Sequence, residues 1–193
     1  FLILAIDFLI SSFFLKKTDV WKNDQWQYKY YRIKSDLYHH DLMPNIEVVE
    51  SWGGKLKRKI ITNSIGFRDS EQKKIYKSSD KKRILLIGDS FIEGSGYDYD
   101  HTLAGLLSSE LGNKYEILNS AVESYSPSIY FKKIEYFINE GYIFDRAIIF
   151  LDPSDIIDEL FIRYDENNNI LINKKNVNKK KVTNFLINNF LIF

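Results

Sequence analysis

The stretch from Arg83 to Gly96, RILLIGDSFIEGSG, decides the fold. It opens on a short apolar run, Ile84 to Ile87, that reads as a buried parallel strand. It then turns through Gly88, Asp89 and Ser90. Outward from this point the elements alternate. TLAGLLSSEL reads as a helix capped by Thr102, with Leu103, Leu106, Leu107 and Leu111 on one face and Gly112 as its stop. YEILNSAV, from Tyr115, reads as a second strand. SPSIYFKKIEYFINEG, from Ser126, reads as a second helix with Pro127 in its first turn and Gly141 at its end. DRAIIFLD, from Asp145, reads as a third buried strand. This alternation predicts a parallel sheet with right-handed crossovers, residues 83–89 lying between 115–121 and 145–151. The expected fold class is α/β, a three-layer sandwich that is flavodoxin-like in outline.

In such sheets, sites form beyond the carboxyl ends of the strands. The three ends carry Asp89-Ser90, Asn119 to Ser124, and Asp152 to Asp155. A serine leaving a strand projects its hydroxyl into the cleft, where local backbone N–H groups face a developing oxyanion. Gly88 lets the chain turn with no Cβ in the way. A Gly-Asp-Ser tripeptide by itself is usually a plain turn. After an apolar strand in a β/α array it reads as a nucleophile.

RILLIGDSFIEGSG resembles the first block of the SGNH/GDSL hydrolases, whose nucleophile is the serine of Gly-Asp-Ser. That resemblance assigns the nucleophile to Ser90, with Gly88 and Asp89 supporting it. ILNSAVESYS resembles the second block, an Asn followed by a loop glycine whose N–H lines the oxyanion hole. Asn119 matches the Asn, and Ser124 stands at the glycine position with its N–H retained. FLDPSDIIDE resembles the third block, Gly-x-Asn-Asp. Asp152 stands for the glycine, Ser154 for the Asn as a hydroxyl donor to the oxyanion, and Asp155 for the Asp. Upstream, YHHDLMPN and TNSIGFRDSE look like the membrane-anchored bacterial members, several of which acylate or deacylate surface polysaccharide. The resemblance covers about residues 37–160. It implies ester hydrolysis or O-acyl transfer on a small-molecule or glycan ester, with no cofactor and no metal.

The family's base is the histidine of an Asp-x-x-His block near the end of the domain. The histidines here are His39, His40 and His101. His101, at a helix entrance, reads as solvated, and His39 and His40 as packing or turn residues before a substitute base. The expected base therefore lies beyond residue 193, and the chain reads as a fragment with little activity of its own.

Residues 1–17 read as a truncated membrane-anchor helix, FLILAIDFLISSFFL ending at Lys16-Lys17. Residues 18–80 read as an extension of short strands and turns, and 81–193 as an incomplete hydrolase domain. The expected location is membrane-anchored, with the catalytic domain on the extracytoplasmic side. The chain has no cysteine, which excludes disulfides and thiolate chemistry. Its net charge of +1 hides a division. Residues 54–83 hold 11 Lys/Arg against 3 Asp/Glu, and residues 84–165 hold 5 against 15. An acidic cleft repels phosphate backbones, so no nucleic-acid partner is expected. Asp152, Asp155, Asp158 and Glu159 read as an acid-rich helix start rather than a metal site. Two rival readings share the fold: a catalytically silent glycan-binding or scaffold module, and a flavodoxin-like small-ligand domain.

Overall fold

The computed structural model describes residues 31–52, 56–165 and 169–172. The expected anchor at residues 1–17 and the chain beyond Ile172 lie outside them. Among the described residues, no helix is long and apolar enough to cross a membrane.

The described residues begin with two antiparallel hairpins. β1 (Arg32–Ser35) pairs with β2 (His39–Leu42), and β3 (Glu47–Trp52) pairs with β4 (Leu56–Ile61). A β/α array follows. β5 (Lys82–Ile87) runs into α1 (Ser90–Glu93), a 3₁₀ turn (Tyr99–His101) and α2 (Leu103–Leu111). β6 (Tyr115–Asn119) leads to α3 (Pro127–Asn139), and β7 (Arg146–Ile149) to α4 (Pro153–Phe161). A small hairpin, β8 (Ile162–Tyr164) with β9 (Ile170–Ile172), ends the described chain.

The sheet is parallel, in the order β6-β5-β7, with helices flanking it. The strand of the Gly-Asp-Ser stretch is thus the central one. Its side chains alternate between the two faces, as a strand's period of two requires. Ile84 and Leu86 pack with Ile92, Ala104 and Ile117. Leu85 packs with Leu118, Phe67 and Phe137, and Ile87 with Val122, Tyr125 and Ile129. The helix ends follow the sequence signals. The Thr102 hydroxyl accepts the Gly105 N–H at 3.1 Å, Pro127 opens α3, and Gly141 takes a φ of 86° just past its end.

Two expectations are corrected. β7 is exposed along its whole length rather than buried, whereas β6, the other edge strand of the described sheet, is buried toward its end. An apolar run fixes a strand but not how deeply it is buried. In α2, Leu106 and Leu111 face outward, and the buried residues are Ala104 and Gly105. The helix packs too closely for leucine there: a Cβ on Gly105 would fall 2.0 Å from the Tyr99 carbonyl oxygen.

The upstream hairpins share their core with the β/α array. Tyr31, Tyr38, Leu42 and Ile60 pack with Ile87, Val122, Tyr125 and Ile129. Lys133 of α3 is fully buried, with its Nζ 2.7 Å from Asp41 Oδ1 in β2 and 3.1 Å from the Tyr125 hydroxyl. The rings of Tyr38, Phe67 and Tyr125 surround that ammonium. Burial pulls the Lys133 pKa down and the Asp41 carboxylate opposes that shift. Arg68, also buried, donates to the carbonyls of Glu93, Gly94 and Tyr97 and so fixes the loop after α1. Residues 31–80 therefore brace the loops at the carboxyl edge of the sheet.

Candidate functional site

Ser90 is the first residue of α1, directly after the central strand, and it is partly exposed. Asp89 caps the helix. Its carboxylate accepts the Phe91 N–H at 2.9 Å, which turns the chain out of the strand at Ser90. Gly88 is needed for a closer reason than the turn alone. A Cβ there would lie 2.7 Å from Ile92 Cγ1 and 3.3 Å from Phe150 Cβ. At the other end, the N–H groups of Gly94 and Ser95 both donate to the Ser90 carbonyl at 3.0 Å.

The β6 end is tied to this turn. The fully buried Asn119 donates from Nδ2 to the Ile92 carbonyl at 2.8 Å and accepts the Ala121 N–H at 3.2 Å. Its side chain is a brace between β6 and α1. The Val122 N–H reaches the Gly88 carbonyl at 3.4 Å, and the Glu123 N–H donates to Glu93 Oε2 at 2.5 Å. Ser124 is exposed and sits at a φ of 62°, the left-handed region that favours glycine. The Glu123 carbonyl lies 2.7 Å from His40 Nε2.

The β7 end brings Ser154 and two acids to Asp89. The Ser154 hydroxyl donates to Asp152 Oδ1 at 2.6 Å, with Asp89 Oδ2 at 3.5 Å. Asp152 and Asp155 form the capping box of α4: Asp152 accepts the Ser154 N–H, and Asp155 accepts the Asp152 N–H at 3.0 Å. Asp155 also accepts the Tyr130 hydroxyl at 2.8 Å. Carboxylate oxygens of Asp89, Asp152 and Asp155 lie within 4.8 Å of one another. Burial pushes the Asp89 carboxyl up, and the negative charges of Asp152 and Asp155 push it further. The Ser154 hydroxyl holds Asp152 down. The cluster is thus an acidic cap around a helix start. Asp158, expected in the same acidic group, lies in α4, and Glu159 reaches away to the Ser128 N–H at 3.0 Å.

The structure therefore joins Asp89, Ser154 and Asp155 in one hydrogen-bonded cluster beside Ser90, and it ties the Ser124 loop to the same turn through Gly88 and Glu93. An apolar cavity lined by Tyr130, Phe131, Ile134, Ile149 and Leu151 lies beside β7 and does not include Ser90.

Sequence reading missed the polar frame behind the site. Glu93 is buried, and it accepts from Arg32 Nη2 at 2.8 Å as well as from Glu123. Arg32 also reaches the Glu123 carboxylate at 3.2 Å. Neither residue carries a local signal, because the partners are 61 residues apart. Asp98 and His101 have the Asp-x-x-His spacing. The structure leaves both exposed around the 3₁₀ turn, with Asp98 Oδ1 accepting the Lys59 N–H at 2.8 Å. The chain matches no protein-family model, and no curated protein matches it.

Proposed function

We propose that this chain belongs to the SGNH/GDSL type and that it hydrolyses or transfers an acyl ester through a Ser90 acyl-enzyme. One observation carries the reading. Ser90 stands partly exposed at the carboxyl end of the central parallel strand, and both neighbouring strand ends are hydrogen-bonded to its turn. In this reading Ser90 attacks the ester carbonyl, and the oxygen that gains charge is held by backbone N–H groups, that of Ser124 foremost. The Ser154 hydroxyl is the second donor, once it turns from Asp152 toward the cleft. The substrate class is a small-molecule or glycan acyl ester, and a surface polysaccharide fits the membrane-anchored, extracytoplasmic setting read from residues 1–17. A general base for Ser90 is required. His40 is committed to His39 and to the Glu123 carbonyl.

A silent glycan-binding or scaffold module on the same fold is the second reading. The commitment of the Ser154 hydroxyl to Asp152 and Asp89 favours it.

The deciding experiment is turnover of aryl acetates and acetylated glycans by the intact protein and by Ser90→Ala. Loss of a triad nucleophile lowers kcat by several orders of magnitude. Turnover that survives Ser90→Ala overturns the Ser90 acyl-enzyme; no turnover on any ester removes the enzyme reading and leaves the binding module.

A further inference from the structure

We infer that His40 is a positioning residue that aims the Ser124 N–H, with its own tautomer set by His39; the inference rests on the ester reading of Ser90. The link is one peptide unit. The carbonyl of Glu123 and the N–H of Ser124 belong to the same amide, and the described chain has no cis peptide. In a trans amide the C=O and N–H point in opposite directions. His40 Nε2 sits 2.7 Å from the Glu123 oxygen, so the Ser124 N–H is directed to the side away from the imidazole. A donor on the carbonyl also polarises the amide and makes its N–H a stronger donor. The same residue is held from its other end, where the Glu123 N–H meets Glu93 Oε2 at 2.5 Å. Both amides that flank Glu123 are thereby fixed, next to the left-handed φ of 62° at Ser124, in a turn closed by the Tyr125 N–H donating to the Val122 carbonyl at 3.2 Å.

The tautomers follow from elimination. A carbonyl only accepts, so His40 Nε2 carries the hydrogen. In the neutral ring Nδ1 is then the acceptor. His39 Nδ1 lies 2.7 Å from it and must be the donor. His39 therefore holds its proton on Nδ1, and the two rings form a directed chain, His39 Nδ1–H to His40 Nδ1, His40 Nε2–H to Glu123 O. The pair can hold one extra proton but not two, since two Nδ1–H donors cannot face each other at 2.7 Å. Two further contacts fix the His40 ring and backbone: an edge-on packing against Tyr125 at 5.1 Å between centroids, and the Tyr125 hydroxyl donating to the His40 carbonyl at 2.9 Å.

The test uses the intact protein with two substitutions. His40→Gln keeps an N–H donor for the Glu123 carbonyl; His40→Phe keeps the ring volume and removes the donor. Imidazole nitrogen NMR of the wild type should show His40 as the Nε2–H tautomer and His39 as the Nδ1–H tautomer. His40 found with its proton on Nδ1 overturns the inference without any variant. His40→Phe should move the Ser124 amide resonance and lower Ser90-dependent kcat by roughly 10-fold or more, with KM within about 2-fold, and His40→Gln should recover most of both. An unmoved Ser124 resonance, or an unchanged kcat in His40→Phe, overturns the proposal. A fall in stability and a rise in KM with kcat intact identifies a purely structural histidine and overturns it equally. If the wild type shows no Ser90-dependent turnover, the ester reading fails, and the Ser124 resonance and the tautomers alone decide the positioning.

Discussion

Arg32 and Glu93 meet at 2.8 Å across 61 residues of chain, and Glu93 ends the helix that Ser90 begins. Glu93 is 1% exposed, so its charge depends on that partner. Breaking a buried pair from one side leaves an uncompensated charge and typically costs about 3–5 kcal/mol. Arg32→Met is expected to lose that much in urea unfolding. Glu93→Gln keeps an acceptor for the Glu123 N–H and leaves Arg32 paired with the Glu123 carboxylate at 3.2 Å, so it should lose less, about 1–3 kcal/mol. A loss below about 1 kcal/mol in Arg32→Met would mean that water reaches Glu93 and that the pair does not hold the site.

The sheet order was legible because Ile84 to Ile87, Ile117-Leu118 and Ile148-Ile149 are short branched runs separated by capped helices. Thr102, Pro127 and Gly141 marked ends that the backbone obeys. The frame around Ser90 was not legible, for a physical reason. Arg32–Glu93, His40–Glu123 and Asp41–Lys133 are bonds between residues far apart in sequence, and no periodicity encodes them. Lys132 and Lys133 make the point on one helix. Lys132 pairs with Glu135 at 2.8 Å near the surface, whereas its neighbour Lys133 is fully buried among aromatic rings. Composition alone places both in solvent. Ser124 was legible as a departure from glycine, but its φ of 62° was not.

Protonation of His40 gives the fold a pH dependence of known sign. Burial pulls its pKa down to about 4; the nearby His39, Arg32 and Lys133 charges lower it too, and the hydrogen bond to the Glu123 carbonyl partly opposes them. The unfolded chain binds this proton near pH 6.5 and the folded chain only near pH 4, so the unfolded state holds more protons between these values. The stability contribution is therefore present above about pH 6.5 and is lost as pH falls toward 4. Linkage gives a loss of about 2 kcal/mol from pH 7 to pH 5 for this group. His40→Gln should flatten that part of the profile. Identical slopes for wild type and His40→Gln in urea titrations at the two pH values would place the titration elsewhere.

Gly88 is a packing glycine. The Cβ of Gly88→Ala would stand 2.7 Å from Ile92 Cγ1 and 3.1 Å from Ile92 Cβ, close to the branch point of a stiff side chain. Overpacking of this kind costs about 1–3 kcal/mol. Since α1 carries both Ile92 and Ser90, the strain should displace Ser90. Gly88→Ala is expected to lower stability, and Ile92→Ala in the same chain should recover part of the loss. Strictly additive effects in the double variant would show that the two side chains do not collide.

Ser124 isolates the backbone requirement of the second strand end. Its side chain is exposed, so substitution there removes little packing, while its φ of 62° makes any β-branched residue strained. Ser124→Val should destabilise the protein by about 1–2 kcal/mol. Ser124→Gly relieves the left-handed strain, worth about 1 kcal/mol, but frees the unfolded chain by a comparable amount, so its net change should lie within about 0.5 kcal/mol of the wild type. In both variants the backbone N–H survives, so stability and turnover separate. On the proposed reading, in which the Ser124 amide rather than its hydroxyl is the donor, Ser124→Gly should keep Ser90-dependent turnover within about 3-fold. Loss of turnover in Ser124→Gly with stability unchanged would assign the oxyanion contact to the Ser124 hydroxyl. Equal stability of the glycine and valine variants would show that this loop leaves the left-handed conformation without penalty, and that the bonds at Glu123 do not hold it.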